Sequence, residues 1–281
     1  MKHVVGFSGG IDSQATARWV LNRYPAADVI LLNSDAGGNE HPLTTEFIAW
    51  YSEHVHPVID TPAQVQDMAG RAPGKIAELG LKPTDPLTFD LLAILKQRFP
   101  SRRAQFCTEH LKLRPQIRWI RENLKDPGIP FCRYSGVRRQ ESAKRRPTLA
   151  LEWDDWFGGD LHHPLVDWTK QMCFDYVNHH GERINELYTL GFNRVGCAPC
   201  INSGKEDVRA WADRFPEMID KIRAWEKRVG RTFFAPMVPG KRINWVDEVV
   251  EWSKTTRGGK QYGLHVMQPR GGCESEYGLC E

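Results

Sequence analysis

Three groups of residues have the types and spacing to do chemistry. The first is Ser8-Gly9-Gly10-Ile11-Asp12-Ser13, which joins a β-branched apolar run to a helix-like pattern. Gly9 and Gly10 permit positive φ and let backbone N–H groups approach a ligand closely. Ser8 and Ser13 add hydroxyls, and a helix starting near Asp12 contributes the positive end of its dipole. Together these make an anion cradle suited to phosphate. The stretch lacks the lysine of a Gly-Lys-Ser/Thr loop and the spacing of the dinucleotide glycine motif. Asp12 would repel phosphate unless a cation intervened, so its presence predicts Mg²⁺ bridging to a pyrophosphate.

The second group is the arginine segment "GVRRQESAKRR", residues 136–146. Arg138, Arg139 and Arg145 read as a planar clamp for phosphate or sulfate, or else as a solvated basic helix start. With Arg102 and Arg103 the same stretch also reads as a guide for a nucleic-acid backbone. The third group is the cysteines, seven in number. Cys132 and Cys173 sit amid apolar residues, where a free cysteine is commonly core. Cys197 and Cys200 form a CxxC, and Cys273 and Cys280 lie near the end of the sequence. In a reducing compartment these are not a disulfide framework.

The surrounding elements must position these groups. Strand-like runs at residues 3–7, 29–33, 55–59 and 131–135 alternate with helix-like segments at 13–24, 42–54, 86–98 and 108–123. That alternation predicts an α/β fold, a parallel sheet with helices on both faces. After about Gly158 the pattern changes. Thr169 is an expected N-cap, residues 208–254 read as mostly helical with core tryptophans, and the tail from Gln268 has no periodicity. The expected organisation is a nucleotide-binding domain over residues 1–200 and a helical C-terminal region over 201–281. With 38 Lys and Arg against 35 Asp and Glu, the net charge of +3 excludes a polycation but allows a local basic groove. No membrane-length apolar run or signal-peptide pattern is present, so a cytoplasmic location is expected.

The loop Ser8-Gly9-Gly10-x-Asp12-Ser13 resembles that of the PP-loop ATP pyrophosphatases, which cleave ATP between the α and β phosphates and adenylate an acceptor. In that resemblance "LLNSDAGGNEHPLTTEFI" ends the second strand at the adenosine, which puts Ser34 and Asp35 there. "FCTEHLKLRP", "GVRRQES", "HPLVDWT" and "GCAPCINSGKEDVRA" follow in an order similar to the adenylyl-sulfate and phosphoadenylyl-sulfate reductases and their DNA-phosphorothioation relatives. The resemblance covers roughly residues 1–210. It implies that Gly136 lies at the nucleotide. It also implies that Cys107, Cys197 and Cys200 hold a [4Fe–4S] cluster. Phe106 stands where the family has a further cysteine, so a fourth thiolate must come from the tail, from Cys280 in preference to Cys273. A structural zinc site is the rival metal reading.

The tail departs from those reductases. Their catalytic cysteine lies in "ECGLH"; here "ESEYGLCE" puts Tyr277 at that place, and a phenol cannot do thiolate chemistry on sulfur. The intact Ser-Gly-Gly-x-Asp-Ser form also points to ATP. The expected activity is therefore ATP cleavage to AMP and pyrophosphate, activating an acceptor for sulfur transfer. Asp12, Arg138 and Arg139 carry the catalysis, with ATP, Mg²⁺ and the cluster as cofactors. The expected partners are a nucleic-acid or small-molecule acceptor and a sulfur donor or reductant protein. The alternatives are an adenylyl-sulfate reductase that releases sulfite, and a non-enzymatic nucleotide-binding redox sensor.

Overall fold

A computed structural model describes residues 1–238, 240–242 and 244–255. The tail that contains Cys273, Tyr277 and Cys280 lies outside the described residues. Six strands form one sheet: β1 (Lys2–Gly6), β2 (Val29–Asn33), β3 (Val58–Asp60), β4 (Phe131–Tyr134), β5 (Leu151–Asp154) and β6 (Gly159–His162). Their spatial order is β3-β2-β1-β4-β6-β5. All neighbours are parallel except β5, which pairs antiparallel with β6. The fold is α/β with a mostly parallel sheet, and the C-terminal part is helical.

Side-chain alternation explains why helices cover both faces. On β1, Val5 packs with Ala17, Val20, Phe47 and Tyr51 of α1 (Ile11–Leu21) and α2 (Pro42–His54). Its neighbour Val4 faces the other way, into a cluster with Leu32, Leu113, Ile120 and Leu124. A strand covered on both sides loses its polar alternation, which is why residues 3–5 are all buried. The second covering element is a continuous helical stretch whose central part is α5 (Arg114–Ile120), with π-helical turns at Thr108–Leu113 and Arg121–Lys125.

The remaining helices are α3 (Pro73–Glu78), α4 (Phe89–Lys96), α6 (Lys170–His179), α7 (Glu186–Thr189), α8 (Lys205–Arg214), α9 (Pro216–Val229) and α10 (Val246–Ser253). Thr169 caps α6 as expected, its hydroxyl accepting from Met172 N–H at 3.2 Å. Helices α8 to α10 share one apolar cluster with α4 and the 63–111 region, including Trp211, Ile222, Val249, Leu92 and Phe106. Glu226 ties this part together. Its carboxylate accepts from Phe233 N–H at 2.8 Å and Val246 N–H at 2.9 Å.

Three expectations need correcting. Strands β5 and β6 were not foreseen, because Leu151 and Trp153 are exposed and the segment has no buried run. The helix α3 starts inside a Gly/Pro stretch that reads as a joint, Pro73 being tolerated at a first helical position. Trp211 is core, as expected of the later tryptophans, but Trp245 is 42% exposed.

Candidate functional site

The chain leaves β1, runs to β2 and β3 on one side, and returns through β4 on the other. The carboxyl ends of β1 and β4 therefore form the switch point where open α/β sheets bind ligands. The glycine loop sits there. Gly9 has φ +75°, and a Cβ on it would meet Ile48 Cγ1 at 3.1 Å, so both the turn and its contact with α2 need glycine. Ser13 closes the loop: its hydroxyl donates to the Gly10 carbonyl at 2.8 Å and accepts from Ser8 N–H at 3.2 Å.

The loop is also braced from far along the chain. Ile11 N–H donates to the Tyr188 hydroxyl at 3.0 Å. Asn185 Nδ2 reaches Thr44 Oγ1 at 3.1 Å and the Gly9 carbonyl at 3.4 Å. Sequence reasoning missed Asn185 and Tyr188, since contacts spanning more than 140 positions leave no local signal.

Gly136 follows β4 and meets the loop directly. A Cβ there would come within 2.8 Å of the Asp12 carbonyl carbon and oxygen, so this close approach admits only glycine. Just beyond it, Arg138 Nε donates to Asp12 Oδ2 at 2.7 Å. Arg138 Nη2 lies 3.8 Å from Glu141 Oε1, and Glu141 in turn pairs with Arg145. All four side chains are buried. The structure thus brings Asp12, Gly136 and Arg138 together at the loop. Arg139 stands apart from this chain: it is partly exposed, pairs with Asp167 and donates to the Thr148 carbonyl.

Ser34 and Asp35 follow β2. Ser34 shares a hydrogen bond with Thr61 at 2.5 Å and donates to the Lys112 carbonyl at 3.2 Å. The Asp35 carboxylate is exposed and accepts from Gly37 and Gly38 N–H. Asp35 also lines a cleft of about 650 Å³ between the ends of β2 and β3 and α2. Asn33, Glu40, Glu53 and Asp60 line it too, and Ile48 connects it to Gly9. A wall so rich in carboxylates disfavours phosphate and favours hydroxyl and amine donors, such as those of a ribose or an adenine.

The cysteines separate into two kinds. Cys132 and Cys173 are buried in apolar clusters, as expected. Cys107, Cys197 and Cys200 line one small cavity with Lys112 and Gln105. Two hydrogen bonds dock the CxxC loop on the segment after β2: Ala198 N–H donates to the Asn39 carbonyl at 2.8 Å, and the Asn39 side-chain Nδ2 to the Pro199 carbonyl at 3.1 Å. The Cys197 hydrogen bond draws the Cys200 thiol down to about 6 against the effect of burial. The same bond and burial push Cys197 up, and burial pushes Cys107 up to about 12.

Lys112 is a fully buried ammonium whose Nζ has no hydrogen-bond partner. Burial works against its charge, and the surrounding Cys197, Glu40, Cys107 and Cys200 outweigh burial and hold its pKa above the ordinary value. Burial also pushes the Glu40 carboxyl up to about 8, against the pull of Lys112. From α9, Lys221 approaches the Gly38 carbonyl at 3.4 Å, with Cys197 and Glu40 acting on it electrostatically. Lys112 and Glu40 lie inside stretches that the sequence singled out, yet only the packing shows that Lys112 lines the thiol cavity and that Glu40 lies close enough to act on it.

Among the described residues, no group of three or more His, Cys, Asp or Glu side chains is arranged to hold a single metal ion. The donor chemistry nevertheless fits a cluster. Three thiols share a cavity with a cation that lacks an acceptor, and an iron–sulfur cluster is an anion whose sulfides accept hydrogen bonds. No helix among the described residues is long and apolar enough to cross a membrane.

A doubly wound sheet with a glycine loop at its switch point defines a nucleotide-binding class of α/β protein. The family model of the phosphoadenosine phosphosulfate reductase domain matches residues 89–203. An uncharacterized 37.8 kDa protein of Escherichia phage 186 is 31% identical over 99% of this chain and 96% of its own length. The adenosine 5'-phosphosulfate reductase of Allochromatium vinosum is 36% identical over 37% of this chain and 40% of that enzyme. The one from Geobacillus thermodenitrificans is 31% identical over 40% of this chain and 56% of the enzyme. The matched region thus spans about half the length of these reductases. The crystal structure of a phosphoadenylyl-sulfate reductase from Candida auris, in a phosphate complex, covers 70% of this chain and 81% of its own at 15% identity, with TM-score 0.46. Residues 89–203 carry a domain of the phosphoadenylyl-sulfate reductase family, and over its length the chain is a relative of the phage protein.

Proposed function

We propose that this chain is a PP-loop enzyme that cleaves ATP to AMP and pyrophosphate, activating an acceptor for sulfur transfer. The observation that carries the reading is the glycine loop, with Asp12 in the first turn of α1 and Arg138 buried against it. The phosphates lie on Ser8, Gly9, Gly10 and Ser13, and the adenosine lies in the carboxylate-lined cleft at Asp35. Asp12 would hold Mg²⁺, whose charge would offset that of the leaving pyrophosphate. Arg138 faces the α phosphate once Asp12 turns to the cation, and Arg139 supplies an outer basic arm. Catalysis is then positioning and charge stabilisation. Cys107, Cys197 and Cys200 hold a [4Fe–4S] cluster, with Cys280 as fourth ligand. A bound cluster would supply sulfur or electron chemistry. The acceptor is a nucleic acid or a small molecule, and the sulfur comes from a donor or reductant protein.

A second reading, adenylyl-sulfate reduction, is favoured by the names of the partial relatives. The two separate in one experiment: anaerobic protein is given ATP with candidate acceptors, and in parallel adenylyl sulfate with a thiol reductant. Pyrophosphate release that depends on ATP and an acceptor supports the first reading. Sulfite release from adenylyl sulfate, without pyrophosphate from ATP, replaces it with the second.

A further inference from the structure

The buried charge chain at the loop runs Asp12, Arg138, Glu141, Arg145, alternating in sign. The two contacts of Arg138 in it are not equivalent. Arg138 Nε meets Asp12 at 2.7 Å, whereas its Nη2 stands 3.8 Å from Glu141, too far for a hydrogen bond but close enough for a strong charge interaction. Glu141 cannot drift from Arg138 easily. It pairs with Arg145 on its other side, and its Oε2 also accepts from Arg138 N–H at 3.4 Å.

This inference rests on the ATP reading above. If Asp12 turns to a cation carried by the nucleotide, Arg138 loses its nearest counter-charge while its side chain is only 5% exposed. A buried guanidinium that loses its nearest counter-charge is destabilised, so other negative groups must compensate for Asp12. The nucleotide's phosphate takes one edge of the guanidinium. The other edge already faces Glu141. We infer that Glu141, fixed by Arg145, is the positioning residue that holds Arg138 at the loop when Mg²⁺–nucleotide draws Asp12 away. Without magnesium Asp12 stays on Arg138, and Glu141 is then a spectator. The role is therefore specific to the metal-bound nucleotide, and ordinary structural support would not be.

The test is calorimetric binding of ATP to the full chain, once with excess Mg²⁺ and once with EDTA. Glu141→Gln keeps the size of the side chain and removes its charge. It is expected to weaken Mg²⁺–ATP binding by about tenfold, the scale of one charge-assisted contact, and to leave metal-free ATP binding within about twofold. Arg145→Met, which releases Glu141 from its far side, should show the same asymmetry and decides the matter if Glu141→Gln does not fold. In a background of Arg138→Lys the Glu141→Gln loss should largely disappear, because the fork it holds is gone. Equal losses with and without Mg²⁺, or no loss in either, overturn the inference. A wild-type chain that binds no ATP at all overturns the ATP reading instead, so the two failures are distinct.

Discussion

The glycine loop and the thiol cavity treat buried charge in opposite ways. At the loop, Arg138 and Arg145 alternate with Asp12 and Glu141, so the charges answer one another within the chain. At the cavity, Lys112 is equally buried, yet its ammonium has no hydrogen-bond partner and faces thiols. In the first region the charges are paired with one another, and on the proposed reading one pair must open when nucleotide arrives. The second holds a positive charge ready for an anionic occupant. Burial alone would not distinguish them; the count of partners does.

The largest effect that could break this comparison is at Asp12. Asp12→Asn removes the carboxylate needed for the cation, and Mg²⁺-dependent ATP turnover should fall on the order of 10²-fold or more. Stability should fall by only about 1–3 kcal/mol, because Glu141 still faces Arg138. Turnover like that of the parent, in a pyrophosphate-release assay, would remove Asp12 from the metal-bridging role.

Lys112→Met sharpens the other half. The buried ammonium lacks a hydrogen-bond partner but its neighbours favour its charge, so replacing it by an apolar side chain of similar length should change the stability of the iron-free protein by less than about 1–3 kcal/mol. The same change should reduce the iron retained after anaerobic reconstitution. Thermal melts and iron assays read the two effects separately. A variant that lost stability without iron and kept its iron would show that Lys112 serves the fold rather than an occupant.

Glu226→Gln tests how far the cavity depends on the C-terminal helices. Both backbone N–H groups it serves would lose a charged acceptor, and one of them would face the amide NH2 instead of an oxygen, at a cost of about 1–3 kcal/mol. Since α9 also carries Lys221 to the segment beside Cys197, iron retention should weaken while ATP affinity stays within about twofold. The smallest effect is expected at Arg139. Its pair with Asp167 is partly exposed, so Arg139→Lys should change stability by less than about 1 kcal/mol. ATP affinity should fall far less than in Arg138→Lys. Equal losses in the two variants would make the arginines a single clamp.

Much of this architecture is legible in the sequence, and for local reasons. The β-branched run before Ser8, the two glycines and Asp12 specify a strand, a turn and a helix start within a dozen residues. Thr169 announces its helix by the same kind of local chemistry. The separation of Cys107, Cys197 and Cys200 from the core cysteines is legible too, because apolar neighbours mark Cys132 and Cys173. The missed features are the non-local ones. Strands β5 and β6 form an exposed edge whose Leu151 and Trp153 give no buried alternation. The pairing of Asp12 with Arg138 spans 126 positions, and nothing in either motif names the other as its partner. Lys112 reads as an ordinary basic residue on a helix until packing turns it toward the thiols.

On the proposed reading the loop is built for the metal-bound triphosphate. Competitive titration of the anaerobic protein with Mg²⁺–ATP and with adenylyl sulfate, repeated on Asp12→Asn, tests it most directly. Mg²⁺–ATP should bind the more tightly of the two, and Asp12→Asn should lose this preference while its affinity for adenylyl sulfate stays within about threefold, a difference of less than about 1 kcal/mol. Tighter binding of adenylyl sulfate, with a preference that Asp12→Asn leaves unchanged, would contradict it.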